Sequence, residues 1–296
     1  MLITNRNKRP IIPPIYLNNI ALSEVQSHTN LGVTITNDLS WSKHITQIAS
    51  KANKRLNIIS RSRHILPRLA LEHLYTSMVR PIIEYGDTLF DNAPLHLTQL
   101  LDKIQRRAAI ICTGAYRHTE NQALLRELAW EPLAARRKNH KLIIFYKIYH
   151  KIYPWYLYNL IPPPVTHKYP TRHQAEFQIP KTRLTKTKTS FFPSTTKLWN
   201  NLSTPNKNKP SVTSFKHFLS QSKIHKSLYN TLCTGKPGVW LTRLRLGLSA
   251  LNQHRYKYNF INNPYCPHCL HTPETTSHFF FSCPKYNTAR TTLLSS

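Results

Sequence analysis

The chain has 296 residues, with 41 Lys or Arg against 12 Asp or Glu, a formal net charge of +29, and 40% hydrophobic residues. That apolar fraction supplies real cores, so the chain is not wholly disordered. No run approaches the roughly 18–20 apolar residues of a membrane span, and Met1–Pro10 lacks the apolar stretch of a secretory signal. With 6 glycines in all there is no GxGxxG or Walker-type phosphate loop.

Ile15-Tyr16-Leu17, Asn18-Asn19 and Ile20-Ala21-Leu22 predict a short β-hairpin, because Asn tolerates the positive φ of a tight turn. Leu31-Gly32-Val33-Thr34-Ile35 predicts a third strand, ended by Asn37-Asp38. A long amphipathic helix follows, with Ser40 as N-cap. Trp41, Ile45, Ile48, Ala52, Leu56 and Ile59 recur at three- and four-residue steps, and Lys43, Lys51, Lys54 and Arg55 lie on the other face.

Leu71, Leu74, Tyr75, Met78, Val79, Ile82 and Ile83 define a second helix that Pro81 should kink. A third runs from about Leu95 to Cys112, with Arg106 and Arg107 off its apolar face. A short helix over Gln122–Ala129 comes next, and Glu131-Pro132 opens a fifth through Leu133, Arg136, Arg137, Ile143, Ile144, Tyr146 and Ile148. After Pro154 the texture changes. Ile161-Pro162-Pro163-Pro164 and Lys181–Thr189 read as extended basic linker. Phe191–Leu202 and Ser211–Ser222 read as short helical pieces, anchored by Trp199, Phe215 and Phe218, and another compact pattern begins near Val239. The fold class expected is mainly α, with a small N-terminal antiparallel β element and a small C-terminal metal module.

The charge is uneven. Residues 1–131 hold 16 basic and 10 acidic residues, whereas residues 132–273 hold 23 basic residues and one acid, Glu176, together with 20 of the 31 aromatics. Such a surface repels itself unless a polyanion neutralises it, which points to RNA or DNA through phosphate neutralisation and counterion release. Interleaved Tyr, Phe and Trp suit base stacking on single strands. An anionic membrane surface is the competing partner, and a solvated face is the competing role for any one cation.

The five cysteines, three of them in the last 31 residues, suit a reducing compartment and a metal site better than a disulfide framework. Cys266, Cys269, His278 and Cys283 have the spacing Cx2Cx8Hx4C. Two cysteines two residues apart grip an ion from one tight turn, and a His and Cys five apart grip it from a short helix or turn. Three thiolates and an imidazole make a closed tetrahedral Zn2+ site of structural kind. His268 and His271 are rival ligands, crowded into or beside the turn. Cys112 reads as a buried helix residue, and Cys233 stands alone.

Several segments, in order, resemble one family. Leu31–Ile35 with Leu39-Ser40-Trp41-Ser42-Lys43-His44-Ile45 resembles the stretch that follows the catalytic palm in reverse transcriptases of non-LTR (LINE-type) retrotransposons. Lys51–Leu56, Tyr75–Tyr85 and Leu101–Ala109 fit the same family, as do Trp199-Asn200-Asn201-Leu202 and Ser214-Phe215-Lys216. Leu241–Gly247 resembles the lead-in to the family's C-terminal CCHC module, and Cys266, Cys269, His278 and Cys283, trailed by Pro284-Lys285-Tyr286, resemble the module itself.

The resemblance implies a palm remnant over 1–38, a helical thumb-like domain over 39–153, a basic linker over 154–190, a helical connection over 191–238 and the zinc module over 239–296. The family polymerises on two metal ions held by palm aspartates, usually in a Tyr- or Phe-Ala-Asp-Asp turn, and this chain has no Asp-Asp pair. Asp87 and Asp91 are the nearest approximation and read as helix or turn acids. Mg2+ is therefore expected only of an intact polymerase, and no catalytic residue is assigned. The expected function is nucleic-acid binding by Lys51, Lys54, Arg55, Arg106, Arg107, Arg136, Arg137 and Lys138 on a template–primer duplex or single strand, inside the cell, in nucleus or cytoplasm. The alternatives are a zinc-dependent protein-interaction module and a truncated, non-functional element copy.

Overall fold

The computed structural model describes residues 1–3, 13–165, 176–179, 181–220 and 235–294. Cys233, the middle of the 154–190 segment and the end of the 211–222 segment lie outside them. The protein is mainly helical, with a small antiparallel β element at its N-terminus. No described helix is long and apolar enough to cross a membrane.

Two hairpins open the chain. Strands β1 (Tyr16–Leu17) and β2 (Ile20–Ala21) pair antiparallel around Asn18 and Asn19, at φ 47° and 59° as the turn requires. The predicted third strand is β4 (Val33–Thr36), and it has a partner that the sequence hid, β3 (Ser27–Asn30). Ser-His-Thr-Asn has no apolar alternation to mark a strand. Leu31 and Gly32, read as the start of a strand, form the turn instead, at φ 46° and 79°.

The chain folds as two compact units, each discontinuous in sequence. The first comprises Met1–Leu56, Thr76–Gln105 and Glu131–Lys223, and the second Asn57–Tyr75, Arg106–Trp130 and Ile224–Ser296. Residues 39–153 thus contribute to both.

In the first unit, helix α1 (Ser42–Arg61) buries Ile45, Ile48, Ala52 and Leu56 at the predicted steps. His44, also buried, ties α1 to the hairpin: its Nδ1 accepts from the Thr34 amide at 3.3 Å, and its ring tilts on Phe90 at 5.6 Å. Trp41 Nε1 donates to Asn92 Oδ1 at 2.9 Å, and Tyr85 Oη donates to the Leu31 carbonyl at 2.6 Å.

Helix α6 (Leu133–Tyr149) carries the aromatic core of this unit. Phe145 and Tyr146 pack with Trp199 from the helix Phe191–Asn200 and Phe215 from the helix Val212–Ser220. Phe177 joins them, paired through a bridge with Pro164, so the stretch read as extended linker supplies a core residue. Thr185–Lys188 also departs from an extended linker, forming one helical turn.

In the second unit, α2 (Arg68–Leu74) leads into a widened π-turn over Tyr75–Val79, and α3 (Arg80–Glu84) follows in the first unit with Pro81 in its first turn. The expected kink is taken up by that turn. Proline removes one amide donor and crowds the carbonyl four residues back, and an i→i+5 turn relieves both. Helix α4 (Leu95–Thr113) ends at Gly114, φ 65°. A Cβ there would fall 2.7 Å from Val239 Cγ1, so the helix Gly235–Arg245 rests on bare backbone. Helix α5 (Asn121–Leu128) ends at Ala129 in the left-handed region, and Trp130 then stacks on Tyr75 at 4.3 Å. Arg68 joins three helices, bonding Glu72 at 2.9 Å, Glu127 Oε1 at 2.8 Å and Thr242 Oγ1 at 3.0 Å.

Candidate metal centre

The four predicted ligands converge. The donor atoms of Cys266, Cys269, His278 and Cys283 all lie within 4.8 Å of one another and can hold a metal ion; among the described residues no second such group of His, Cys, Asp or Glu occurs. The Cys266 and Cys283 sulfurs are 3.9 Å apart, and those of Cys269 and Cys283 are 3.5 Å apart.

Local backbone chemistry builds both halves. In the first, the Cys266 amide donates to the Thr272 carbonyl at 2.8 Å and the Leu270 amide returns to the Cys266 carbonyl at 2.9 Å. Leu270 takes φ 60° to let the chain reverse, and its side chain is exposed. In the second half, His278–Ser282 forms a single π-turn that ends at Cys283, whose amide donates to the His278 carbonyl at 2.8 Å. The five-residue step therefore brings His278 and Cys283 to one side. Thr275 starts this turn, its Oγ1 accepting from the His278 amide at 3.0 Å.

His278 is 8% exposed, and its Nε2 is buried without a hydrogen-bond partner in the protein. A buried orphan of this kind is costly unless something else satisfies it. Its other nitrogen, Nδ1, stands 3.4 Å from Thr272 Oγ1, which fixes the ring's orientation. The rivals are placed elsewhere: His271 is exposed, and His268 is exposed with its ring edge-on to Tyr286 at 6.0 Å.

The thiols differ electrostatically. Burial opposes a thiolate at Cys266, but the amides of His268 and Cys269 and the neighbouring thiols outweigh it and hold Cys266 below the usual thiol range. Desolvation, reinforced by hydrogen bonds with Cys283 and Cys266 and then by their charge, pushes Cys269 up to about 11. One negative charge is thus welcome in the cluster and further ones repel, a conflict that a bound cation removes.

A supporting ring of hydrogen bonds was not legible in the sequence. Glu274, 8% exposed, accepts from the Asn252 amide at 2.7 Å, and Asn252 Nδ2 donates to the Tyr265 carbonyl at 2.8 Å. Arg290 donates to the carbonyls of Phe279, Phe280 and Cys283, capping the π-turn with a cation.

The predicted nucleic-acid-binding residues divide into two groups. Lys51, Lys54 and Arg55 are exposed on one face of α1, and Lys138 is exposed on α6. Arg107 is exposed, with Nη2 on Asn57 Oδ1 at 2.8 Å. The other three are engaged internally. Arg106 donates to the carbonyls of Arg117 and Thr119, closing the loop after α4. Arg136 pairs with Glu84 and, at 3.7 Å, with Glu131. Arg137 is 6% exposed and pairs with Asp91 at 3.1 Å. Neighbouring cations on a helix point in different directions, and tertiary carboxylates claim two of these.

Asp91 also accepts Lys141 Nζ at 2.6 Å, and Asp87 Oδ2 lies 2.7 Å from His140 Nδ1, so both acids sit in turns and pair with α6. Cys112 is buried, and burial pushes its thiol far above the usual range, which makes it inert. Against this geometry, comparison of the chain with protein-family models, with curated proteins and with solved structures returns no match.

Proposed function

We propose that the chain is a nucleic-acid-binding portion of a retrotransposon-type reverse transcriptase, of the non-LTR class its segments resemble, inactive as a polymerase by itself and closed at its C-terminal end by structural zinc. The observation that carries the binding is the charge of residues 132–273, where 23 basic residues face one acid. That acid is turned inward: Glu176 accepts Trp199 Nε1 at 3.2 Å and Lys207 Nζ at 3.1 Å. It offsets a buried lysine; Arg136, Arg137, Lys141 and Arg245 pair with acids from other parts of the chain, and the large net positive charge that is left calls for neutralisation from outside.

Zinc suits the donors. Zn–S bonds of about 2.3 Å in a tetrahedron place sulfurs about 3.8 Å apart, and the sulfur pairs here stand at 3.9 and 3.5 Å. The orphaned His278 Nε2 is the fourth donor, and four protein donors leave no position for water or substrate. In the proposed role the ion cross-links the two halves of the module. Metal analysis of the purified chain should give one zinc per chain, and Co2+ in its place should show the intense visible bands of a tetrahedral thiolate site. A metal-free chain with six-coordinate Co2+ spectra would refute zinc.

The binding is tested by fluorescence anisotropy with labelled RNA and DNA across a salt series. Affinity should fall steeply, each neutralised phosphate adding about 0.7–0.9 to the log–log slope. Replacing Lys51, Lys54 and Arg55 by Ala should weaken all sequences alike and lower the slope by roughly 1 for each phosphate no longer neutralised. Affinity that stays flat between low and moderate salt would sink the reading. The protein-docking alternative draws on Leu270 and Phe281, 67% and 78% exposed on the metal module. It predicts weak, salt-insensitive RNA binding instead.

A further inference from the structure

The second unit contains a cavity of about 800 Å³ that no role above uses. Its size falls within the range of small-molecule sites, about 300–1,000 Å³. The floor is apolar, made by Leu71, Ile111, Cys112 and Val239, and the rim carries Arg63, Trp240 and Arg243. Among the described residues no carboxylate lines it.

The rim cations keep their charge. Arg63 donates Nε to His64 Nε2, and Arg243 donates Nε to the Gly114 carbonyl; among the described residues neither is paired with a carboxylate. Arg68, also at the cavity, is neutralised by Glu72 and Glu127. The Arg243 guanidinium lies over Tyr116 at 4.7 Å and near the Trp240 ring at 6.0 Å, and Trp240 is 51% exposed. A half-exposed indole next to a guanidinium that has no carboxylate partner among the described residues, above an apolar floor, offers stacking and charge in one place. The ligand that matches is planar on one side and anionic on the other.

We infer that this cavity is a subsite for one unstacked nucleotide of a single-stranded nucleic acid, its base against Trp240 and the apolar floor and its phosphate beside Arg63 and Arg243. The inference rests on the nucleic-acid reading above and specifies it further. A paired base is held in its stack and cannot enter without flipping, so the subsite selects strands over duplexes.

The test uses the full chain and a fluorescein-labelled eight-residue oligothymidylate, read by anisotropy, with a duplex of equal length beside it. Base–aromatic stacking measured by alanine substitution corresponds to roughly 5- to 160-fold in affinity. Trp240→Ala should lose an amount in that range on the strand and leave the duplex unchanged, and Trp240→Phe should restore most of it. Arg63→Ala should weaken the strand and lower its salt slope by about 1. As a second readout, a 5-iodouracil strand should photocrosslink to the peptide that contains Trp240. Equal strand affinity for Trp240→Ala and the unaltered chain would overturn the subsite and leave general binding standing. Equal losses on strand and duplex, or crosslinks confined to other segments, would also overturn it. Failure of the unaltered chain to bind either probe would end both this inference and the nucleic-acid reading.

Discussion

The aromatic core around α6 and the Cys/His module hold themselves together by different physics. Around α6, Phe145, Trp199 and Phe215 are fully buried, and Trp199 meets Phe145 at 5.0 Å and Tyr149 at 5.2 Å. Such side chains dominate core energetics through the apolar area they remove from water. The module has no comparable store. Its fully buried groups are chiefly donor atoms of Cys266 and Cys283, while Tyr265, Leu270 and Phe281 stay exposed. A region of roughly 30 residues with so little apolar burial needs another source of order. A cation held by the four donors would supply it, and the same four would become a liability when the cation leaves.

The largest effect should come from breaking that contrast at the module. Chelation should remove amide protection over residues 260–290 and spare α6, because structural zinc supplies apparent binding free energies of about 10–16 kcal/mol in small zinc peptides. Hydrogen exchange with and without chelator reads this directly, and equal protection in both states would refute the metal's role. Cys283→Ser should mimic chelation.

The converse perturbation is Trp199→Ala, which should cost about 3–5 kcal/mol in denaturant unfolding of the first unit. It should leave metal affinity unchanged; a parallel loss of metal would show that the two regions are not independent. Asp91→Asn should have a smaller effect, about 2–3 kcal/mol. It strips the counter-charge from Arg137 and Lys141, which are 6% and 2% exposed. Replacing Lys141 by Met in the same chain should recover part of the loss.

The smallest effect is a pH dependence at His44. Burial, with help from Lys51, holds this imidazole below its usual 6.5, so the folded state favours the neutral ring. Its contribution is complete above about pH 6.5 and is lost as pH falls, since the unfolded chain then binds the proton more readily. Amide protection in α1 should weaken from pH 7.5 to pH 5, and His44→Gln should flatten that trend. Protection that rises on acidification would contradict the assignment.

Much of the helical framework was legible because helix burial repeats every three or four residues along the chain. Ile45, Ile48, Ala52, Leu56 and Ile59, the positions the spacing predicts, are all buried in α1, and His44 and Ala49 beside them are buried too. The hairpin at Asn18-Asn19 was legible for a related reason, since the turn's demand for positive φ falls on adjacent residues. Strand β3 was not, because Ser27–Asn30 pairs through backbone groups and leaves its side chains largely outside. Phe177 was lost in the composition of its neighbours, a stretch dominated by prolines, threonines and lysines.

By itself, the sequence determined the helical segments, the excess of cations and the candidate ligands Cys266, Cys269, His278 and Cys283, which the fold brings together. Periodicity, net charge and ligand spacing are properties of neighbours along a chain. Only the tertiary structure decided which cations remain available. Arg136 and Lys138 look alike in sequence, yet Glu84, 52 residues before Arg136, claims the arginine and leaves the lysine in solvent. Tertiary structure likewise turned Glu176 inward and gathered Arg63, Trp240 and Arg243 around one cavity. Ion pairs and cavities are made by residues far apart in the chain, and nothing local in a sequence records which partner folding will bring.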